Sequence, residues 1–392
     1  MKRIFVLLAL LGFELYAQTL DAIITQALDT NPSLESISQR IKANKSAIDI
    51  SNQFANPSLS FTANTIDPSQ AMSQKRLTVQ QKLPFYGKRD SLLELSRANE
   101  EILNVSLTQA KVNLVNEIKN QAYTIWELEQ LLGIIMQYEN LTKQNIELSE
   151  SYTTTSKNQH MGIMSAQLSL TDLQIQRSVL KSKIFTAYAR LSYLSGFEVK
   201  ELDINIEIGD MPSVASLKSG LVNNPDLAMK DKKIAKNQAM INNAEVNNYP
   251  DINILGAYSY RQNFDDYLTF GVGLSLPIYS TEDYKEQEQR TLILASQSLK
   301  KDTSLKVDAE FMSIYMQMRS EHEIYHLIHD DALPQIAHMF ELTNSSISTG
   351  GDLFMYIDIL IQKLKLEQKS ISAVASYHRA NAKISALRGE LK

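Results

Sequence analysis

Two eight-residue segments, ALDTNPSL at positions 27–34 and GLVNNPDL at positions 220–227, decide the fold that this sequence predicts. Each contains an Asn-Pro pair, and the two pairs lie 193 positions apart, counted from 31 to 224. The same spacing recurs at two further proline pairs: Pro57 with Pro250, and Pro84 with Pro277. Self-similarity at one fixed offset indicates a structural unit that is used twice. We therefore divide the chain into a first repeat at 18–210 and a second repeat at 211–392.

The composition favours long helices. The chain has only 13 Gly and 9 Pro among 392 residues, where average usage gives about 27 and about 20. The net charge of -5 argues against a nucleic-acid partner. The absence of cysteine excludes disulfides, thiolate metal sites, cysteine nucleophiles and a lipidated cysteine.

The first 17 residues have the pattern of a secretory signal. Lys2 and Arg3 precede an apolar run at 4–13, and a polar segment begins at Gln18. This order predicts export with cleavage after Ala17. A buried helix of a cytosolic protein is the alternative. No other stretch approaches 18 apolar residues, so we expect no helical membrane anchor.

Within each repeat the hydrophobic period changes in the same order. A helical stretch follows each Asn-Pro pair, at 33–54 and at 226–248. Apolar residues then alternate with polar ones, which predicts two strands joined by a polar loop. The alternating positions are Leu59, Phe61, Leu77 and Val79 in the first repeat, and Ile252, Ile254, Tyr258, Leu268, Phe270, Val272 and Leu274 in the second.

Long heptad-patterned helices follow each predicted hairpin. The segment 85–211 contains no proline and carries two apolar stripes, which indicates helical neighbours on both sides. A helix over 88–159 would be about 105 Å long. Glycines at 160–164 and at 348–353 predict a break in each long helical region, and we interpret both breaks as tips of helical hairpins.

Four strands cannot close a barrel by themselves, because small closed barrels have about eight. Either the strands cover a soluble core, or three chains pool twelve strands in a membrane, where open edges are forbidden. An aromatic row suits the membrane interface: Tyr258, Tyr260, Phe264, Tyr267 and Phe270. The sequence alone leaves both interpretations open.

The repeated Asn-Pro-x-Leu boxes, the LPFYGKR and LPIYS segments and the GGDLFMYIDIL segment resemble TolC-type outer-membrane efflux factors. The resemblance covers essentially the whole chain after the signal. It implies a mainly α fold with a β-barrel part: long helical hairpins form a trimeric α-barrel tunnel, and four strands per chain contribute to a shared twelve-stranded barrel. LPFYGKR, at 83–89, looks most like the heavy-metal branch.

The resemblance also implies a function and partners. The protein would be a homotrimer in the outer membrane with a large periplasmic portion. It would act as the passive exit duct of a tripartite efflux system, with a periplasmic adaptor and a proton-driven inner-membrane pump as partners. Small molecules or heavy-metal cations would be the cargo. The exit channel of a type I protein secretion system and a periplasmic coiled-coil structural protein are the alternatives.

Candidate functional residues fall at the two predicted tips. By resemblance, the adaptor-docking residues are Met161, Gly162, Ile163, Gly350, Gly351 and Leu353. Simple capping of a helix by glycine is the alternative. Asp358 matches the acidic position after the family's tip glycine, and in a trimer it would form a ring of three carboxylates at the constriction. Asp352 is the second candidate for that constriction, and a solvated helix face is the alternative.

Three histidines lie on one stripe of a predicted helix. His322, His326 and His329 follow the i, i+4, i+7 spacing, and imidazoles spaced by four can bind zinc or copper. No fourth ligand is evident, so a polar helix face is the stronger interpretation. The sequence contains no nucleophile elbow, zincin, phosphate-loop or dinucleotide motif. We therefore expect no enzymatic activity and no cofactor.

Overall fold

The computed structural model describes residues 18–65, 67, 69–70, 73–151, 157–347 and 353–391. Within this part the chain forms two compact units. The helical unit contains the chain up to Pro32 together with Lys111–Leu221 and Glu310–Lys392, and the sheet unit contains Ser33–Ala110 and Val222–Ala309. Each unit draws segments from both predicted repeats, and the duplication itself stays a prediction.

The helices are α1 (Leu20–Thr30), α2 (Pro32–Ser51), α3 (Lys88–Ser151), α4 (Lys157–Ser195), α5 (Val214–Lys218), α6 (Pro225–Asn247), α7 (Thr281–His326), α8 (Leu333–Ile347) and α9 (Leu353–Leu387). The strands are β1 (Gln18–Thr19), β2 (Ser58–Ala63), β3 (Gln74–Leu83), β4 (Leu202–Asp203), β5 (Asp251–Arg261) and β6 (Tyr267–Ser275). The structure is mainly helical, as the sequence predicts.

The two Asn-Pro pairs begin helices, as predicted. The side-chain oxygen of Asn224 accepts hydrogen bonds from the backbone N–H groups of Asp226 at 2.9 Å and Leu227 at 3.2 Å, and so caps α6. Asn31 donates from Nδ2 to the carbonyl oxygen of Leu194 at 2.9 Å. This bond fixes the start of α2 to the end of α4.

Strands from both halves form one antiparallel sheet in the sheet unit. The strand order is β2-β3-β5-β6, and each pair of neighbours is antiparallel. The central pair, β3 with β5, joins the two halves in a register that runs from Gln74 opposite Arg261 to Leu83 opposite Ile252. β2 and β6 are the two edges. The strands lie where the alternating sequence predicts them.

Two apolar clusters form the core of the helical unit. The first packs α1, α3 and α4 together around Ile23, Ile118, Ile125 and Leu191, and it extends to Leu202 of β4. The second packs α3, α4 and α9 together around Ile135, Leu173, Leu360 and Tyr356. The heptad stripes of the sequence therefore become interhelical seams, because residues three and four apart share one face of a helix.

The first predicted helix break is misplaced. α3 ends at Ser151 and α4 begins at Lys157, so the segment 160–164 lies inside α4 rather than at a break. The reason is that Gly162 is a buried helical residue: a Cβ built there would lie 3.3 Å from the Leu353 Cβ. Here glycine permits a close helix contact instead of capping a helix. The helix α3 has 64 residues and is about 96 Å long.

The second long helix contains an irregularity that the sequence analysis missed. Between α7 and α8, residues Leu327–Ala332 form a π-helical segment. Pro334 follows within α8. Proline has no N–H, and its ring clashes with the carbonyl group four residues earlier in an α-helix. A π-turn relieves this conflict by inserting one residue.

Within the part that the structure describes, no helix is both long enough and apolar enough to cross a membrane.

Candidate functional site

The N-terminal ends of α4 and α9 meet in the helical unit. A Cβ on Gly162 would lie 3.3 Å from the Leu353 Cβ and 3.4 Å from the Phe354 backbone nitrogen. Leu353 is buried in the second apolar cluster, and Ile163 packs against the same cluster while partly buried. The structure therefore brings together tip residues from both halves of the sequence.

Exposed apolar side chains surround this contact. Met161 and Met164 of α4 and Phe354 and Met355 of α9 each leave more than half of the side-chain surface open. We call these four residues the tip patch. Of the residues that the sequence analysis named, Met161 belongs to the patch, while Gly162 and Leu353 lie beneath it. Gly350, Gly351 and Asp352 lie outside the described residues. The role of the tip in docking stays a prediction.

Asp358 lies on the exposed face of α9. Its neighbours Ile357 and Ile359 are buried, so the carboxylate faces away from the core. Gln362, one turn later, donates from Nε2 to Asp358 Oδ2 at 2.7 Å. Among the described residues Asp358 makes no salt bridge. In the single chain the Asp358 carboxylate therefore lies at the solvent-exposed surface of α9, and its role in a constriction stays a prediction.

A buried hydrogen bond holds the same part of α9 to α3. Asn145 donates from Nδ2 to the Tyr356 hydroxyl at 2.9 Å, and Tyr356 is fully buried. Burial raises the pKa of Tyr356 to about 12, although the Asn145 bond acts in the opposite direction. Phe340 of α8 lies against the same ring, with centroids 5.4 Å apart. The sequence analysis missed this anchor between α3 and α9.

A buried carboxylate joins α3 to α4. Glu139 receives Lys143 Nζ at 2.6 Å and Arg177 Nη1 of α4 at 2.9 Å. The hydrogen bond from Lys143 lowers the pKa of Glu139, against the effect of burial, and the Arg177 charge adds to the lowering. The Lys143 and Arg177 side chains remain 43% and 37% exposed, so solvent screens part of both ion pairs.

The three histidines lie along the end of α7 and the start of the π-helical segment. The His322 and His326 ring centroids are 4.5 Å apart. The Nδ1 atoms of His326 and His329 each lie 2.9 Å from a different oxygen of Asp330. Hydrogen bonds from the two histidines lower the pKa of the Asp330 carboxyl, and the bond from His329 has the larger effect. Among the described residues no group of three or more His, Cys, Asp or Glu can hold a metal ion. The stripe forms a polar network with Asp330, and metal binding by the three histidines stays untested.

The sheet of the sheet unit has one apolar face and one polar face. Strand register aligns the apolar residues, for example Ile254 opposite Val272 and Tyr258 opposite Leu268. These side chains are exposed: Val272 is 74% and Phe270 is 82% open. A contiguous exposed apolar surface of this kind marks an interaction with lipid or with another protein.

Hydrogen-bonded polar side chains cover the opposite face. Arg76 donates from Nε to the Ser259 hydroxyl and from Nη2 to the Tyr267 hydroxyl, both at 3.1 Å. Gln74 donates from Nε2 to the same Tyr267 hydroxyl at 2.9 Å. This face of the sheet is therefore polar, whereas the opposite face is apolar and exposed in the single chain.

A charged cluster closes the base of this sheet. The carboxylate of Asp251, the first residue of β5, receives Lys88 Nζ at 2.7 Å and Lys82 Nζ at 2.9 Å. The Phe85 backbone N–H donates to the same carboxylate at 3.2 Å. The Phe85 ring also stacks on Tyr249, with centroids 4.7 Å apart. Residues of and beside the LPFYGKR segment therefore bind the first half of the sequence to the first residue of β5.

Comparison with known proteins shows the fold. No protein-family profile matches the chain, and no curated protein matches it in sequence. Solved structures do match: the open-state MtrE outer membrane channel of Neisseria gonorrhoeae has a TM-score of 0.80 at 13% identity, covering 95% of this chain and 89% of that one. CusC, whose structures concern transmembrane channel formation, has a TM-score of 0.79 at 12% identity, covering 95% and 92%.

The outer membrane protein VceC from Vibrio cholerae has a TM-score of 0.76 at 13% identity, covering 95% of this chain and 97% of that one. These neighbours are channel proteins rather than enzymes. The resemblance to TolC-type outer-membrane efflux factors is thus confirmed at the level of the fold: this chain folds as those outer-membrane channels do.

Proposed function

We propose that the protein is the outer-membrane exit duct of a tripartite efflux system. The observation that carries this proposal is the two-faced sheet, which exposes a large apolar surface on one side and a bonded polar surface on the other. An outer-membrane barrel needs this distribution, because one face of each strand meets lipid and the other meets a water-filled lumen. The likeness to outer-membrane channels supports the same conclusion.

Three chains would supply the closed barrel. A sheet with two free edges cannot remain open in a bilayer, since its unpaired backbone groups find no water there. β6 of one copy would pair with β2 of the next. Three copies give twelve strands, an even number within the range of bacterial barrels.

The helical unit carries surfaces suited to the same assembly. On α4, Leu168, Phe185 and Tyr193 are exposed, and on α7 the exposed residues Met312 and Met316 lie one helical turn apart. Exposed apolar side chains of this kind mark contacts with other protein surfaces. They would join neighbouring copies into a ring of helices.

The tip patch would meet the periplasmic adaptor, because methionine and phenylalanine side chains adapt well to a partner surface. The energy for transport would come from an inner-membrane pump, and the cargo would be small molecules or metal cations. An efflux assay tests this assignment: a strain that lacks the protein should regain resistance with the native chain, and the protein should be recovered from the outer membrane as a trimer.

A tip variant sharpens the assay. Met161→Glu with Met355→Glu should abolish complementation while leaving the trimer intact. Met136→Glu, at an exposed methionine of α3 outside the patch, serves as the matched control and should retain resistance. Full resistance in the tip variant would reject the patch as the docking site. A soluble monomer in the periplasm would reject the export function.

Asp358 would form the constriction. Three carboxylates around one axis attract cations and bind multivalent cations that bridge them. In planar bilayers, Asp358→Asn should reduce cation selectivity and relieve block by divalent cations, with little change at high salt because the charges are then screened. Unchanged selectivity and block would mean that Asp358 faces a neighbouring helix, and Asp352 would be tested next.

A further inference from the structure

An open groove runs between α4 and α9 in the helical unit. Its cavity volume is about 550 Å³, within the range of pockets that hold drug-sized molecules. Leu131 of α3 forms part of the lining, and Gln176 and Gln368 face each other across the groove, with Nε2 of Gln368 lying 3.4 Å from Oε1 of Gln176. Packing does not fill this space between the two helices.

One wall of the groove is apolar and accessible. Ile175 and Val179 lie one helical turn apart on α4, and each leaves about half of its side chain exposed. Leu180 lies behind them, buried in the second apolar cluster. This wall offers a flat hydrophobic contact for an aromatic ring or a short aliphatic chain.

The charged side chains of the groove all have one sign. Lys183 of α4 and Lys365 and Lys369 of α9 line the cavity, and no carboxylate lines it. All three lysines are exposed, and none forms a salt bridge among the described residues. Other lysines of this unit are paired, for example Lys143 with Glu139 at 2.6 Å and Lys363 with Glu367 at 3.8 Å.

An adjoining cavity of about 300 Å³ shares Gln176, Lys365 and Gln368 with the groove, and one acidic side chain lines it. That side chain is Asp172, which accepts a hydrogen bond from Gln176 Nε2 at 2.6 Å. Its carboxylate is therefore already engaged on the α4 side. Lys369 interacts electrostatically with Glu321, so Lys183 and Lys365 supply most of the positive charge that a ligand would meet.

We propose that this groove binds amphipathic organic anions. The ligand would place a carboxylate, sulfonate or phosphate between the three lysines and lay an apolar body on Ile175 and Val179. Lys365 follows Asp358 by seven residues on the same exposed face of α9, which is about 10 Å along the axis. The groove therefore opens on the side that Asp358 faces, the duct interior in the proposed assembly.

Equilibrium binding to the purified full chain in nanodiscs tests this inference. Three probes share one ring system: naphthalene-1-sulfonate as the anion, 1-naphthalenemethanol as the neutral compound and 1-naphthylmethylammonium as the cation. Titration calorimetry should show saturable binding of the sulfonate, about tenfold tighter than either of the others, because charge-assisted hydrogen bonds add to the apolar contact. Added salt should weaken it.

Variants separate the groove from the rest of the surface. Lys365→Gln combined with Lys369→Gln should weaken sulfonate binding about tenfold or more. Lys181→Gln removes an exposed lysine of α4 that does not line the groove, and it should bind as the native chain does. Circular dichroism and the oligomeric state check that each variant is folded.

Three results would overturn the proposal: no saturable binding of the sulfonate, equal binding of the neutral probe, or unchanged binding by the folded double variant. The role of such anions as cargo rests on the proposed export function, but binding does not. Failure of binding would leave the export proposal standing, and failure of the efflux assay would leave this test valid.

Discussion

The two units of this chain differ in whether they bury their phenylalanine side chains. Phe311, in the helical unit, is completely buried, whereas Phe270, in the sheet unit, is 82% exposed. The helical unit also buries polar groups, among them Glu139 and Asn145, and gives them partners. The sheet unit keeps its polar network on one face and leaves its apolar face uncovered. The difference teaches that the two units are built for different surroundings.

Each arrangement follows from the solvent that the unit meets. In water, burial of an apolar side chain contributes about 25 cal/mol per Å² of surface removed from solvent. In a bilayer that term vanishes for lipid-facing residues, since hydrocarbon is as apolar as the side chain. In the proposed barrel the apolar face of the sheet unit would therefore meet lipid, whereas the helical unit packs its own apolar core.

The largest expected effect comes from charging the apolar face of the sheet. Val272→Arg should prevent stable insertion, because an arginine on the lipid face costs about 2–4 kcal/mol at the bilayer midplane, and a trimer carries three copies. Thr269→Arg, on the polar face of the same strand, should insert normally. The measurement is recovery of a heat-modifiable oligomer from the outer membrane. If Val272→Arg inserts and Thr269→Arg does not, the assignment of the apolar face of the sheet to lipid is wrong.

The second effect concerns the buried hydrogen bond of the helical unit. Tyr356→Phe removes one of the two hydrogen bonds that Asn145 Nδ2 donates, since the bond to the Leu141 carbonyl oxygen at 2.8 Å remains. The loss of one buried hydrogen bond costs about 0.5–1.5 kcal/mol. We expect faster hydrogen exchange in the N-terminal half of α9. Exchange rates that match the native chain would show that the bond does not hold α9 in place.

The same residue predicts a pH dependence. The pKa of Tyr356 is raised from 10.0 to about 12 in the folded chain. As the pH rises, the Tyr356 phenol ionises at a lower pH in the unfolded chain than in the folded chain. The contribution of Tyr356 to stability is therefore complete below pH 10 and decreases between pH 10 and about 12. Alkaline titration of α9 protection, with Tyr356→Phe as the control, measures this difference. An equal alkaline loss in both chains would assign it to other groups.

The smallest effect distinguishes two helical glycines. A Cβ added at Gly133 of α3 would meet open space. A Cβ added at Gly162 of α4 would lie 3.3 Å from the Leu353 Cβ. Gly133→Ala should stabilise the chain by about 0.5–1 kcal/mol through helix propensity. Gly162→Ala should gain less or lose stability, because α4 and α9 must separate. Thermal unfolding of both variants gives the answer, and equal gains would show that the contact is not tight.

The periodic features of the fold could be predicted from the sequence, and single contacts could not. Proline spacing located the helix starts at Pro32 and Pro225, and alternation located the strands, because both signals repeat over many residues. Gly162 misled the prediction, since glycine marks a helix cap and a close helix contact equally well. The π-helical segment had one signal, Pro334, which also occurs at ordinary helix ends.

The candidate site was harder to predict for a physical reason. The Asn145–Tyr356 bond joins residues 211 positions apart, and no local pattern encodes such a pairing. Tyr356 occupies an apolar heptad position, and the sequence pattern therefore predicts a core residue rather than a hydrogen-bond partner. The lysines of the groove look like ordinary surface charges until α4 and α9 are placed side by side. Asp358, by contrast, was proposed from a motif; the structure places it on an exposed face of α9, and its role as a pore residue stays a prediction.

The most direct test of the account is whether β6 of one copy pairs with β2 of the next. The chain has no cysteine, so any disulfide that forms must join the engineered cysteines. Thr269→Cys on β6 can be combined in turn with Ser58→Cys, Ser60→Cys or Thr62→Cys on β2, which scans the register between copies. Within one chain these strands are three spacings apart, about 14 Å, too far for a disulfide.

Thr78→Cys with Ala257→Cys, which lie directly opposite each other in one chain, provides the positive control for oxidation. We predict that at least one of the three β6–β2 pairs yields a covalent trimer on a denaturing gel and that each single variant yields only monomer. Monomer from all three pairs, in a folded protein whose control pair does cross-link, would contradict the shared twelve-stranded barrel.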